Sequence, residues 1–326
     1  MSTSPLPIRI ESLPGFFGLS RLALARRLES LGLPRYRADQ IYTWVYQKHH
    51  RGAAAMTNLP AGLRARLEEV CDLSLPRVAS THVTRDHLTH KFVLELSDGA
   101  RVECVSMRTE RRLTFCLSSQ VGCALKCSFC ATGLMGLSRN LRAEEIVAQV
   151  VLMGDFHAWR DDRFNLVFMG MGEPLANYRA VMDAIRILHE PLGLAVSLHA
   201  TTDELRDQLV PVNQRWPIAE LLAAARDYGR ASGRRVTLEY TLLGGVNDRD
   251  EDADRLGAIA RDLPSKINLI PYNPVPGLPW RRPAPEAVAA FAERLYPRAP
   301  AVMIRHTLGG EIWAACGQLG GLGPGA

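Results

Sequence analysis

The chain has 326 residues, 47% hydrophobic and 22% charged, with a formal net charge of +5 and a pI near 8.9. That balance fits a globular protein with one large core, or a large core and a smaller companion. No apolar run approaches the ~18 residues a membrane-spanning helix needs.

The first twenty residues lack the continuous apolar segment of a secretory signal, so a cytoplasmic location is expected. Helical spacing of leucines predicts a helix over 18–31, a second over 37–49, and a third over 60–71 starting at Pro60. Residues 1–75 therefore read as a small helical module. In "RYRADQIYTWVYQKHH" basic and aromatic side chains alternate. Either an ordinary solvated amphipathic face or an RNA-contacting face accounts for that pattern. Residues 89–99 and 100–107, joined by the turn "SDGA", predict a β-hairpin within a connection spanning 76–110.

From residue 111 to about 310 short apolar strands alternate with helices. The strand candidates are 113–119, 163–170, 194–200, 234–243 and 266–272, and the helices 142–154, 177–188, 217–231, 250–262 and 285–295. The fold class is α/β, with parallel βα units forming an open or closed barrel. In such an architecture chemistry gathers at the C-terminal ends of the strands. The last segment, 311–326, is rich in glycine, is expected to be mobile, and carries Cys316.

There are seven cysteines, and Cys123, Cys127 and Cys130 fall within eight residues directly after the first core strand. An odd count with such crowding suits metal binding better than a disulfide framework. Structural zinc would use thiols at this spacing but wants a fourth ligand, and neither a histidine nor a second C-x2-C pair stands nearby. An iron–sulfur cubane held by three cysteines keeps one iron open to an outside ligand. Gly133 and Gly136 would let the backbone approach such a group. The next strand ends in "FMGMGEPLAN", where Gly170 and Gly172 bracket a turn that must pass close to something and Glu173 offers a carboxylate. A carboxylate beside free carbonyls is what an amino-acid ammonium group requires. Taken alone, Ser197, His199 and Cys116 read as ordinary capping or core residues, and Glu103 as a solvated charge.

"CALKCSFC" followed by "GMGEP" resembles the radical S-adenosylmethionine (SAM) superfamily. The resemblance continues from about residue 35 to 319 through "LPRYRADQIYTWVYQKH", "VECV", "SLHATTDELRDQLVPVN", "VTLEYTLLGGVND", "KINLIPYNPVPG" and "AACGQL". Together these are similar to the RlmN/Cfr family of RNA methyltransferases, which act on adenine carbons. "KINLIPYNP" and "AACGQL" favour the branch that methylates carbon 2 over the one that methylates carbon 8.

The resemblance implies a radical-SAM-type partial (β/α) barrel in which Cys123, Cys127 and Cys130 hold a 4Fe–4S cluster. It implies that Gly172, Glu173, Ser197, Leu198, His199 and Asn273 contact SAM. Cys316 would take a methyl group from one SAM, and a second SAM would yield the radical that activates it. The methylene radical would add to adenine, Glu103 would remove the ring proton, and Cys116 would release the product through a transient disulfide with Cys316. The implied partners are 23S rRNA in its peptidyl-transferase region, tRNA 3′ of the anticodon, and an electron donor such as flavodoxin or ferredoxin, with the chain a monomer. Cys71 and Cys104 match no role and are expected to be structural.

In one place the chain departs from this family. "DAIRILHEPLGL" runs straight into "AVSLHATTDEL", without the strand and helix expected between them. About one βα unit, on the order of 30 residues, is missing. Its loss would remove a SAM contact and a barrel strand. That leaves a second reading, an RNA-binding relative that has lost turnover.

Overall fold

In the computed structural model, which describes residues 15–110, 112–159, 164–188, 193–299 and 301–320, the N-terminal leucine pattern forms a helix over Arg21–Ser30. Ser20 caps it by accepting from the Ala23 N–H at 3.2 Å. The helix expected over 37–49 runs as regular α-helix over Arg37–Tyr42 and then widens into a π turn, Thr43–Gln47. The one expected over 60–71 is broken at Arg66 into Ala61–Ala65 and Leu67–Val70. Phe16, Tyr42 and Tyr46 meet with ring centroids 5.1–5.6 Å apart. Tyr42 and Trp44 of the alternating basic–aromatic stretch are buried in the core, while Tyr36 at its start is exposed. These helices form one compact unit, Met1–Pro76, together with Arg142–Asp161 and Arg179–Glu190. The helix Ala143–Phe156 belongs to it, buried along almost its whole length.

The second unit comprises Arg77–Leu141, Asp162–Tyr178 and Pro191–Ala326. It begins with a strand the sequence does not signal, β1 (Arg77–Val83). The expected hairpin follows as β2 (Thr89–Glu95) and β3 (Arg101–Thr109), and β4 (Arg112–Cys116) pairs antiparallel with β3. A small hairpin, β5 (Gln120–Gly122) with β6 (Leu137–Asn140), encloses the cysteine loop. β7 (Phe164–Val167) pairs parallel with β4 and completes a sheet of order β1-β2-β3-β4-β7.

The remaining strands are β8 (Ala195–Ser197), β9 (Val236–Leu242), β10 (Ser265–Pro271) and β11 (Val302–Ile304). They form an all-parallel sheet of order β11-β10-β9-β8, as expected for strands separated by helices. Helices Ile218–Ser232, Asp250–Asp262 and Pro285–Leu295 supply Leu222, Ala225, Leu256, Ala260, Phe291 and Leu295 to its core. β7 ends one sheet and β8 ends the other among the described residues. Residues 189–192, where a βα unit is expected to be missing, lie outside them.

Leu269 is fully buried in the middle of β10. Leu269→Ala should cost about 2–5 kcal/mol through lost transfer energy and the cavity left behind. Thermal denaturation should register it as a midpoint several degrees below that of the parent protein.

Candidate functional site

The cysteine loop leaves β4 and is pinned at several places. Cys123 N–H donates to Gly136 O at 2.9 Å, Ser128 N–H to Leu209 O at 3.0 Å, and the Trp280 indole to Ser128 O at 2.8 Å. Cys123, Cys127 and Cys130 are partly buried free thiols. Burial pushes the Cys127 thiol up to about 12, with the neighbouring charges of Cys130, Cys123 and Glu173 adding to the shift. Burial also raises Cys123, and Cys130 and Glu173 add to it. The three sulfurs thus share one electrostatic environment. Among the described residues, however, no three His, Cys, Asp or Glu side chains are gathered as a single metal ion would require. Thiolates on one tetrahedral zinc lie about 3.8 Å apart, from zinc–sulfur bonds of about 2.3 Å. Three thiols on one loop, within electrostatic reach of one another, could each bind a separate iron of a cubane cluster.

The turn after β7 wraps the strand end beside this loop. Gly170 N–H donates to Leu117 O at 3.0 Å, Ser119 N–H to Met171 O at 2.8 Å, and Glu173 N–H to the Gln120 side-chain oxygen at 2.8 Å. The close approach expected of Gly170 and Gly172 is therefore to the chain itself. A Cβ on Gly170 would lie 2.6 Å from Leu117 O, and one on Gly172, whose φ is +97°, would lie 2.5 Å from Gln120 Cβ. The clasp presents Glu173, whose carboxylate accepts from the Leu175 N–H at 2.9 Å. Burial raises Glu173, and no basic side chain pairs with it among the described residues. An uncompensated half-buried carboxylate fits an ammonium group.

The end of β8 is held by buried polar groups that the sequence reading missed. Arg206 donates from Nε to Leu198 O at 3.0 Å, from Nη2 to Ser197 O at 3.1 Å, and from Nη1 to Asn213 Oδ1 at 2.7 Å. Asn247, fully buried, donates to His199 O and Thr241 O at 2.8 and 2.7 Å and accepts from Leu243 N–H. His199 takes a left-handed φ of 58°, and its Nδ1 accepts from Thr241 N–H at 3.0 Å, which places the proton on Nε2. Burial, then the charge of Arg206, lowers His199 to about 3. Ser197, Leu198 and His199 thus share one strand end. Asn273, just beyond β10, donates to Cys316 O at 3.1 Å and accepts from Arg282 and Thr307. Its side chain holds the Cys316 backbone, a role its expected place at SAM did not suggest.

Cys316 sits in a segment tied down through residue 320. Gly317 O accepts from Ala131 N–H at 2.7 Å, Leu319 O from the Thr132 hydroxyl at 2.6 Å, and Gly320 N–H donates to Glu103 Oε2 at 3.2 Å. Cys116 ends β4 opposite Val105 of β3, so Glu103, two residues before Val105, shares its sheet face. Cys116 and Cys316 line the same small cavity. Burial pushes Cys116 up to about 12, the nearby Cys316 adds to that, and Arg305 opposes it.

Glu103 is not the solvated charge that its hairpin position suggests. It is buried and lies 3.6 Å from the ammonium of Lys91, itself buried. The signal for Lys91 was the register: it sits on β2 opposite Val105, beside the Val93–Glu103 pair. Cys71 and Cys104 are buried.

Residues 15–73 match the ribosomal RNA large subunit methyltransferase N-terminal domain, and residues 117–193 match the radical SAM superfamily. A dual-specificity RNA methyltransferase RlmN from Dinoroseobacter shibae is 43% identical, over 93% of this chain and 88% of its own. Its counterpart from Anaeromyxobacter sp. is 43% identical over 98% of this chain and 94% of its own. That alignment spans 355 positions, more than the 326 residues of this chain, which therefore carries gaps in it. The crystal structure of a radical SAM methyltransferase from Sphaerobacter thermophilus superposes with a TM-score of 0.89 at 42% identity, over 94% of this chain and 99% of that one.

Two measurements test this geometry. Lys91→Met leaves the Glu103 carboxylate buried without its cation and should destabilise the protein by about 3–5 kcal/mol; a loss below about 1 kcal/mol in urea titrations would contradict the pairing. His199, at about 3 when folded against 6.5 as its ordinary value, binds a proton more readily when unfolded. Its contribution is whole above about pH 6.5 and declines toward pH 3, by up to about 1.4 kcal/mol per pH unit. His199→Asn keeps an acceptor and tolerates the left-handed backbone, so the difference in urea midpoint between pH 7 and 5.5 should shrink.

Proposed function

The chain belongs to the RlmN family of radical SAM RNA methyltransferases, and from that premise we propose that it methylates carbon 2 of an adenine in 23S rRNA and in tRNA. The observation that carries this reading is the shared cavity of Cys116 and Cys316, two thiols 200 positions apart in sequence. Glu103 lies on the sheet face of one and is hydrogen-bonded to the segment of the other.

Cys123, Cys127 and Cys130 would hold a 4Fe–4S cluster, with Glu173 and Gly172, the β8 end at Ser197, Leu198 and His199, and Asn273 around SAM. When bound, this pair supplies the methyl group and the one-electron chemistry. The chain's own residues then have separate tasks. Cys316 carries the carbon as a thioether, held in place through its carbonyl by Asn273. Glu103, oriented by Lys91 and the Gly320 N–H, takes the ring proton. Cys116 reaches the Cys316 sulfur and closes a transient disulfide that frees the product. Radical addition to a base edge requires the base outside its stack, so the RNA target is looped or flipped. "KINLIPYNP" and "AACGQL" support carbon 2 over carbon 8. We also infer a small electron-donor protein as partner, a monomer, a cytoplasmic setting, and a partial barrel one βα unit short of its relatives.

A second reading, an RNA-binding relative without turnover, is favoured by one observation. β7 and β8 end separate sheets, on either side of the place where the sequence is short. Anaerobic reconstitution with iron and sulfide, followed by a methyl-transfer assay on rRNA and tRNA fragments, separates the two. A cluster without SAM cleavage supports the second reading, and zinc without sulfide overturns the first. In the first reading Cys116→Ala accumulates an RNA crosslink through Cys316, visible as a gel shift that Cys316→Ala abolishes. Free RNA beside fully methylated Cys316 in that variant would rule out the thiol-release step.

A further inference from the structure

The cavity between the two thiols is lined by Cys116, Cys316, Met169, Asn273 and Arg305 among others. Arg305 directly follows β11, and its backbone N–H donates to Leu269 O at 2.8 Å, so the side chain leaves a fixed strand end. Its guanidinium meets Met169 Sδ at 3.2 Å. Thioether sulfur is a weak acceptor, and a guanidinium carries five N–H donors. No carboxylate pairs with Arg305 among the described residues. A cation in such a place is costly unless an anion shares it.

The charged and titratable groups around this pocket come from every side. On β9, Glu239 accepts from Asn268 Nδ2 at 2.7 Å, and its charge also acts on Arg305 and Cys316. On the β2–β3 side Lys91 and Glu103 pair with each other. The cysteine loop brings Cys130 within electrostatic reach of Cys316, and His306, next to Arg305, also lines the cavity. The guanidinium therefore faces one carboxylate, Glu239, within electrostatic reach, and the two thiols that line the cavity with it.

We propose that Arg305 is the shared counter-ion of the two transfer thiols, stabilising the Cys316 thiolate first and, once that sulfur is alkylated, the Cys116 thiolate. The proposal rests on the assignment of these thiols to methyl transfer. Its chemistry is balanced at each stage. Cys316 gives its Sγ proton to solvent, and its sulfur lone pair forms a bond to an electrophilic methyl carbon. The bond from that carbon to its leaving sulfonium sulfur breaks with its electron pair. The product thioether is neutral, so the guanidinium loses that thiolate as a partner and keeps only Glu239 within electrostatic reach. Cys116 then gives its own proton to solvent and takes the place of the first anion.

The electrostatics run the same way from both partners. Burial raises Cys316, and Arg305 is the first influence opposing that rise. The charge of Cys316 is in turn the largest influence holding Arg305 up, with Cys116 and then Glu239 contributing less. The two thiols also repel each other's charge, since Cys316 raises Cys116. One cation therefore serves one thiolate at a time, and alkylation of Cys316 removes an influence that, second to burial, raises Cys116.

Thiol reactivity tests this without methyl transfer. In cluster-loaded protein free of SAM and RNA, the rate of iodoacetamide alkylation at each thiol is followed against pH by peptide mass spectrometry. Arg305→Gln should move the Cys316 midpoint upward and slow its alkylation at pH 7.5 by about tenfold for each unit moved. Arg305→Lys should restore most of the rate. Independently of any change at Arg305, Cys316→Ala should lower the Cys116 midpoint and speed its alkylation, and adding Arg305→Gln should cancel that gain. An unmoved Cys316 midpoint in Arg305→Gln, with cluster absorbance and melting temperature intact, overturns the proposal. So does a Cys116 midpoint indifferent to Cys316→Ala. Midpoints that shift as stated in a protein that methylates no RNA leave the counter-ion standing and remove the proposed function instead.

Discussion

The hydrogen bonds from Ala131 N–H to Gly317 O and from the Thr132 hydroxyl to Leu319 O are the constraint on which the site depends. They join the cysteine loop to a C-terminal segment that, among the described residues, has no regular structure past Ile312 to hold it. A segment of alanine and glycine buries little apolar surface and loses much conformational freedom on ordering. Its fixed path must therefore come from directed polar contacts. Asn273, Gln318 and the Gly320 N–H complete the set, reaching Cys316 O, Pro274 O and Glu103. Since the same loop carries Cys123, Cys127 and Cys130, any movement there is felt at Cys316 through two short bonds.

Much of the frame was legible because it is local. Short apolar runs separated by helical patterns located β9 and β10 within two residues of their observed bounds, and the helices Asp250–Asp262 and Pro285–Leu295 to the residue. The three-thiol loop was legible for the same reason, its chemistry lying within eight positions. β1 was not, because its burial is slight along its length and gives no alternation to read. β11 is only three residues long and follows a stretch ending in proline, too short for any period.

The polar interior was hidden for a different reason. Arg206, Asn247 and Lys91 look like surface residues in sequence, and each is buried because its partners arrive from other elements. Arg206 serves backbone carbonyls of the preceding strand, which would otherwise be left unpaired beneath the helix at Asp203–Leu209. Asn247 ties β8 to β9 at their C-terminal ends, where parallel pairing stops and carbonyls lose their ladder partners. Buried amides and guanidinium groups at these positions define where the sheet ends, and hence where His199 and Ser197 stand. The glycines of "GMGEP" carried the converse lesson. Their pattern correctly signalled a close approach, but the surface approached is the strand end at Leu117–Gln120, which a single sequence cannot identify.

The split between β7 and β8 bears on stability more than on the thiol pocket. Cys116, Glu103 and Lys91 all stand on the β2–β3–β4 side, while Cys316 is held by Asn273 beyond β10 and by the cysteine loop. None of these attachments runs through the β7–β8 gap. The strand ends that border the gap, Glu173 and Ser197–His199, are those expected at SAM, and each has its own support, from Gln120 on one side and from Arg206 and Asn247 on the other. A missing strand would therefore weaken the wall between two braced ends and leave both braces in place. On the proposed assignment the consequence would fall on how tightly SAM is enclosed, while Cys116 and Cys316 line one cavity.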